Sequence, residues 1–129
     1  VEDESKRAEG DPTMKARQRS SRNELLRQRM IQEIPRADVI VTNPTHFSVA
    51  LRYDRSRDPA PVVVAKGLDD MALKIRAIAK EHGVPLMEDP PLARALYRAV
   101  KVGQTVPEKF YQAVATVLSH VYRLQGRTA

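Results

Sequence analysis

The chain contains no cysteine, which excludes disulfide bonds and thiol catalysis and is compatible with a cytoplasmic setting. No stretch approaches the ~18 to 20 apolar residues of a membrane span, and no signal peptide is visible. Histidine is scarce. His46, His82 and His120 show no paired metal-ligand spacing, so neither a metal nor another cofactor is expected, and the last two read as a helix-end and a helix-face residue. No phosphate loop, metal cluster or nucleophile–base–orienter set can be read, which argues against an enzyme that turns over. The first residue is Val1, so the chain reads as a piece of a longer protein. If that protein is membrane-bound, its anchor is expected before residue 1.

What is present is basic. A chain of 129 residues suits one domain with a modest core, and it carries a net charge of +6 with a pI near 9.9. The excess sits in Met14–Arg36, where seven Lys/Arg face only Glu24 and Glu33. Residues 1–13 are acidic, with five carboxylates against Lys6 and Arg7, and residues 37–129 mix both signs. Such a basic segment attracts phosphate of any kind, including anionic lipid headgroups. It has no aromatic interleaving and matches no nucleic-acid motif, so no nucleic acid is expected as a partner.

Residues 1–13 are polar and are expected to be disordered. From about 14 to 34 a thin stripe of Leu25, Leu26, Met30 and Ile34 predicts a connecting helix, ended by Pro35. Residues 1–36 are thus expected to be a disordered start and a basic linker helix following a membrane domain, and residues 37–129 the compact domain. Asp38–Thr42 reads as a buried strand, and Phe47, Val49, Leu51 and Tyr53 alternate as a second. Residues 54–61 form a loop, and Pro61–Ala65 a third strand. Lys66-Gly67 is expected to turn into a helix from Leu68 to about His82, with Leu68, Ala72, Ile75, Ile78 and Ala79 inward and Gly83 capping its end. Val84–Met87 is a short strand that Pro85 confines to an edge or a strand start. Pro90 and Pro91 open a helix with Leu92, Leu96 and Val100 inward. The last helix opens at Pro107, capped by Thr105, with Phe110, Val114, Val117, Leu118 and Val121 as its stripe. The expected class is α/β: a small mixed sheet of about four strands surrounded by about four helices, preceded by the linker helix.

Between the first two strands stands Asn43-Pro44-Thr45-His46. Ordinary deamidation needs the next residue's backbone N–H, and Pro44 has none. The route left open is attack by the Asn43 side-chain nitrogen on its own backbone carbonyl, closing a succinimide and expelling Pro44 as a new amino terminus. The plainer reading is a type I turn that never breaks. Strand pairing on both flanks favours the chemistry, since a held turn can aim the amide at the carbonyl. His46 either relays a proton or hydrogen-bonds the developing oxyanion, or is a turn residue without chemical duty. Thr45 shapes the turn.

The run from Val39 to Leu51 around this tetrapeptide resembles the signature of the FlhB/YscU/SpaS family of type III export proteins. Val64-Ala65-Lys66-Gly67, His82-Gly83-Val84-Pro85 and Pro91-Leu92-Ala93-Arg94-Ala95-Leu96-Tyr97 match as well. The resemblance covers roughly residues 20–129, most strongly 36–124. Ala65-Lys66-Gly67 and Val102-Gly103-Gln104 look like its flagellar rather than its injectisome branch. It implies the C-terminal domain of an integral membrane protein, on the cytoplasmic face of the bacterial inner membrane. It implies single-turnover self-cleavage between Asn43 and Pro44, with Thr45 and His46 completing the site. It further implies that the cut switches export from rod and hook subunits to filament-type subunits. The partners implied are those substrates, a hook-length ruler protein, other export-gate membrane proteins and the export ATPase complex. The competing expectations are a docking module whose turn stays intact, an injectisome-branch homologue and a basic nucleic-acid-binding domain.

Overall fold

Helix α1 spans Pro12–Glu33, and the computed structural model describes residues 11–44 and 46–127. Pro12 occupies its first turn, where a missing N–H costs nothing, and the Asp11 carboxylate accepts the Thr13 N–H at 2.9 Å. The apolar stripe engages only at its end. Leu25 and Leu26 remain more than half exposed, Met30 and Ile31 are half-buried, and Ile34 is fully buried. A 3-10 turn, Ile34–Arg36, contains Pro35 and takes over where the α-helix stops. Of the start expected to be disordered, residues 1–10 lie outside the described residues, whereas Asp11, Pro12 and Thr13 correct the expectation by forming the cap and first turn of α1.

Four strands follow: β1 (Val39–Asn43), β2 (Phe47–Arg52), β3 (Val62–Leu68) and β4 (Leu86–Glu88). They form one sheet in the order β3-β2-β1-β4, with β1 antiparallel to β2 and parallel to β4. The sheet is therefore mixed, as expected. β4 takes an edge, and Pro85 sits just before it, giving its carbonyl to the Ile40 N–H at 2.9 Å. The helices are α2 (Asp70–Glu81), α3 (Pro90–Ala99) and α4 (Tyr111–Leu124).

Side-chain alternation along the strands divides the core in two. Val39, Val41, Val49, Leu51 and Val63 face α3 and α4, meeting Leu92, Leu96, Val114, Leu118 and Val121. Ile40, Ala50, Val62 and Val64 face the other way, toward Ile75 and Ala79 of α2 and toward Ile34. Between β2 and β3 the register shifts after Ala50↔Ala65 to Leu51↔Val63, a bulge that leaves Val64 unmatched. Val64 and Ala65 consequently face the same side despite being adjacent.

Two further expectations need correction. Lys66-Gly67 does not turn into a helix: β3 continues to Leu68, because Gly67 pairs with Ser48 and Leu68 with Phe47. Leu68 is accordingly a strand end, 43% exposed, rather than an inward helix residue. Thr105 caps nothing. It bridges to Val62, and the last helix is entered through a 3-10 turn, Glu108–Phe110, with no side-chain cap. Gly83 does end α2, at a φ of +72° that only glycine adopts without strain.

The loop after β2 hides an ion pair that composition alone does not reveal. Asp58 is buried and accepts from Arg52 Nε at 3.0 Å, from Arg52 Nη2 at 2.9 Å and from the Asp54 N–H at 2.8 Å. The Arg52 hydrogen bonds hold its carboxyl below the usual carboxylate range, against the opposing effect of burial. A carboxyl depressed on folding stabilises above the unfolded-state pKa, about 3.9, and that contribution disappears as pH falls through the folded value. Asp58→Asn should therefore cost about 2 kcal/mol at pH 7. It should also flatten the acid limb of stability below about pH 4. Urea unfolding at pH 7 and pH 3.5 checks both; an equal loss at both pH values contradicts the assignment.

Candidate functional site

The Asn-Pro turn closes the β1–β2 hairpin. The strand register runs to its last possible pair, Asn43↔Phe47, so the loop is only Pro44, Thr45 and His46. The His46 N–H donates to the Asn43 carbonyl oxygen at 3.0 Å, the i to i+3 bond of a β-turn. The acceptor is the oxygen of the Asn43-Pro44 peptide bond, the bond that asparagine cyclisation would break. Its donor already sits at oxyanion-hole distance. Asn43 itself is half-buried. Thr45, the fourth sequence candidate, lies outside the described residues.

Several elements converge on this turn. β1 and β4 are parallel and both end here, and α2 and α3 both begin here. The Asp89 N–H, at the start of α3, donates to the Thr42 carbonyl at 3.0 Å. Ser48 is fully buried and its hydroxyl donates to the Ala72 carbonyl of α2 at 2.9 Å. Phe47 tilts onto Tyr97 of α3 with ring centroids 4.9 Å apart. Lys66 lies over the same Tyr97 ring and donates to the Tyr97 carbonyl at 2.8 Å, near the carboxyl end of α3. Burial, and then the Lys101 charge, push the Lys66 ammonium below its ordinary pKa. The hairpin's second strand is thus fastened to helices on both faces of the sheet.

The turn is held from outside by the corner between β3 and α2. The Asp69 N–H donates to the His46 carbonyl at 2.9 Å, and the Asp69 carboxylate lies 3.6 Å from His46 Nδ1. Arg76, two turns into α2, donates through Nη1 to the Pro44 carbonyl at 3.2 Å. Its Nε is buried and finds no hydrogen-bond partner. Sequence reasoning named Asn43, Pro44 and His46 and missed Asp69, Arg76 and Ser48. Nothing in the sequence places the start of α2 beside the hairpin; that follows only from pairing β3 with β2.

Gly67 makes this corner possible. A Cβ there would lie 2.6 Å from Met71 Cγ and 2.9 Å from the Met71 carbonyl carbon, so α2 could not cross so close to β3. Away from the turn, a shallow apolar groove of about 220 Å³ runs between the loop after β2 and α4, lined by residues including Tyr53, Ala60, Pro61, Tyr111, Leu118 and Tyr122. No group of three or more His, Asp or Glu among the described residues is placed to hold a metal ion.

The FlhB HrpN YscU SpaS family matches residues 1–121. The chain belongs to that family. It is 51% identical over 127 residues to the flagellar biosynthetic protein FlhB of Bacillus subtilis and 52% identical over 125 residues to that of Salmonella typhimurium. Those matches cover 98% and 97% of this chain but 35% and 33% of the relatives, so it spans about a third of their length. Among solved structures, the cytoplasmic domain of FlhB from Shewanella putrefaciens is similar at a TM-score of 0.74 with 48% identity, over 77% of this chain and 76% of that one. An Asn-to-Ala variant of the EscU C-terminal domain matches at 0.69 with 36% identity, over 71% and 92% of the two chains. Pro-to-Ala and His-to-Ala variants of that EscU domain also match, the three altered positions being spaced like Asn43, Pro44 and His46.

Gly67→Ala should destabilise the fold by about 2 kcal/mol through overpacking, since Met71 presents backbone as well as side chain. Thermal unfolding measures the loss; an unchanged midpoint would mean that α2 can shift freely on β3.

Proposed function

We propose that this chain is the cytoplasmic part of a flagellar type III export-gate protein and that it cuts itself once, between Asn43 and Pro44. The observation that carries this reading is the His46 N–H on the scissile carbonyl oxygen, in a turn pinned by strand pairing on both flanks. In the reaction the Asn43 side-chain nitrogen bonds to the Asn43 carbonyl carbon, and the carbonyl oxygen takes up negative charge toward the His46 N–H. The tetrahedral centre collapses by breaking the bond to Pro44, which leaves with a proton as a secondary amine. The succinimide at Asn43 then opens with water. The cut itself needs no external nucleophile, water being consumed only when the succinimide opens, and the site is not regenerated.

The fold lets the pieces stay together. β1 lies between β2 and β4, and Val39, Ile40 and Val41 are fully buried, each burial worth about 1.5–3 kcal/mol. Ile34 anchors the first piece from below. None of these contacts depends on the Asn43-Pro44 bond. The cut instead frees the exposed Pro44 and His46, and we infer that the gate then admits filament-type in place of rod and hook subunits, with a hook-length ruler protein signalling when. The alternative, a docking module whose turn stays intact, draws on the apolar groove beside α4.

Mass spectrometry under denaturing conditions separates these readings. The purified chain should give fragments 1–43 and 44–129 that co-migrate when native, while Asn43→Ala should give one intact mass. The incubation must be kept at neutral pH, because the Asp11-Pro12, Asp58-Pro59 and Asp89-Pro90 bonds are acid-labile. A wild-type chain that remains intact favours the docking module, and cleavage of Asn43→Ala at the normal rate points to an external protease. In cells, uncut Asn43→Ala should export hook-type subunits and fail at filament-type ones; normal filament export would separate cleavage from the switch.

Helix α1 fits a place beside a membrane. Residues 14–36 carry a net charge of +5, and Leu25 and Leu26 are exposed. None of the helices among the described residues is long and apolar enough to cross a membrane. A peptide of this segment should gain helix on anionic vesicles and lose the gain in high salt, as read by circular dichroism. Identical spectra with and without vesicles would leave it a plain linker.

A further inference from the structure

Among the described residues Asp69 is the single non-glycine residue with positive φ, at +51° with ψ −112°. That region suits glycine, and an aspartate there is strained. The strain is not offset by capping: Asp69 stands at the N-cap of α2, yet its side chain makes no cap hydrogen bond. What Asp69 does contact is His46, twice, through its N–H on the His46 carbonyl at 2.9 Å and its carboxylate 3.6 Å from His46 Nδ1. Seven residues on, Arg76 reaches back from α2 to the Pro44 carbonyl at 3.2 Å. One corner of the fold thus grips the residue after the scissile bond and the residue whose N–H faces the scissile oxygen.

We propose that Asp69 and Arg76 are positioning residues for self-cleavage, acting as a brace on the Asn-Pro turn. This rests on the reading that the chain cuts itself. A three-residue loop between paired strands still has freedom to tip away from the sheet. If it tips, the His46 N–H leaves the Asn43 oxygen and the carbonyl loses its donor at the moment charge develops on it. Asp69 holds the His46 carbonyl through its N–H and places its carboxylate 3.6 Å from the ring, so the His46 N–H stays aimed at Asn43. Arg76 fixes the Pro44 carbonyl and with it the orientation of the leaving residue. The charged side chains in contact with Pro44 and His46 are Arg76 and Asp69, both from this corner. Neither Asp69 nor Arg76 gives or takes a proton in the step. Their effect is on geometry, in which misplacement of about 1 Å can cost ~100-fold in rate.

The two roles a strained aspartate can play forecast different cleavage rates for Asp69→Gly. Glycine relieves the strain at φ +51°, so a merely structural Asp69 predicts a thermal midpoint equal to or above wild type and an unchanged cleavage rate. The brace predicts the same or higher midpoint with cleavage slowed about tenfold or more. Arg76→Met should slow cleavage about fivefold or more, and Arg76→Lys should recover part of the loss by offering one donor in place of the fork. The experiment follows newly synthesised 129-residue chain at neutral pH by cell-free translation and chase, reading the fraction cut against time beside thermal unfolding of each variant. Asn43→Ala serves as the uncut reference. Slow cutting by Asp69→Gly at undiminished stability, with Arg76→Lys faster than Arg76→Met, supports the brace. Wild-type rates in both Asp69→Gly and Arg76→Met overturn it while leaving self-cleavage in place. A wild-type chain that stays whole overturns both.

Discussion

The pairing of β1 between β2 and β4 is the constraint on which the rest of the molecule depends. An antiparallel neighbour on one side and a parallel one on the other leave β1 no free edge, and its side chains are buried on both faces. Because β2 is joined to it by only three residues, the register of that pair also sets the turn. Slipping the hairpin by one residue would swap Val39 and Val41 with Ile40 between the two cores. The chemistry proposed at Asn43 therefore inherits its precision from hydrophobic burial some distance from the turn.

The parallel partner matters in a second way. Parallel strands send their crossovers over the sheet, so the starts of the helices gather near the strands' carboxyl ends. Here the starts of α2 and α3 both touch the hairpin end, one through Asp69 and the other through Asp89. A hairpin in an isolated antiparallel sheet would have only water beyond its tip. This one has a corner of the protein beyond it, and the strained Asp69 lies at that corner.

Strain and burial divide the work between the two ends of β1. Toward its amino end, Ile34 and Val39 tie the incoming helix to both cores, and the Arg52–Asp58 pair closes the loop beyond the neighbouring β2. Beyond its carboxyl end the turn is exposed: the side chains of His46 and Asp69 are 60% and 66% exposed. A local chemical change at the polar end leaves the apolar end untouched. That arrangement suits a domain whose surface is to change while its fold does not.

Much of this was legible in the residues themselves. The alternation of Phe47, Val49 and Leu51 made β2 readable, and the prolines at 35, 85, 90 and 107 punctuated the helices and strands, because both depend on local backbone geometry. Asn43-Pro44 likewise stood out in the sequence, since the N–H that ordinary deamidation needs is absent there. The extension of β3 through Lys66-Gly67 was not legible. Glycine ordinarily ends a strand, and only the approach of Met71 and the pairing with Ser48 explain why it continues here. Thr105 looked like a helix cap and became a bridge to Val62 for the same kind of reason. The partners of the turn, Asp69 and Arg76, were invisible because 26 and 33 residues separate them from Asn43. The sequence by itself determined the Asn-Pro bond at which cleavage is proposed and the elements that flank it, through local chemistry and periodicity. Only the tertiary structure decided what holds that bond in place, because contacts between distant residues depend on which strand pairs with which.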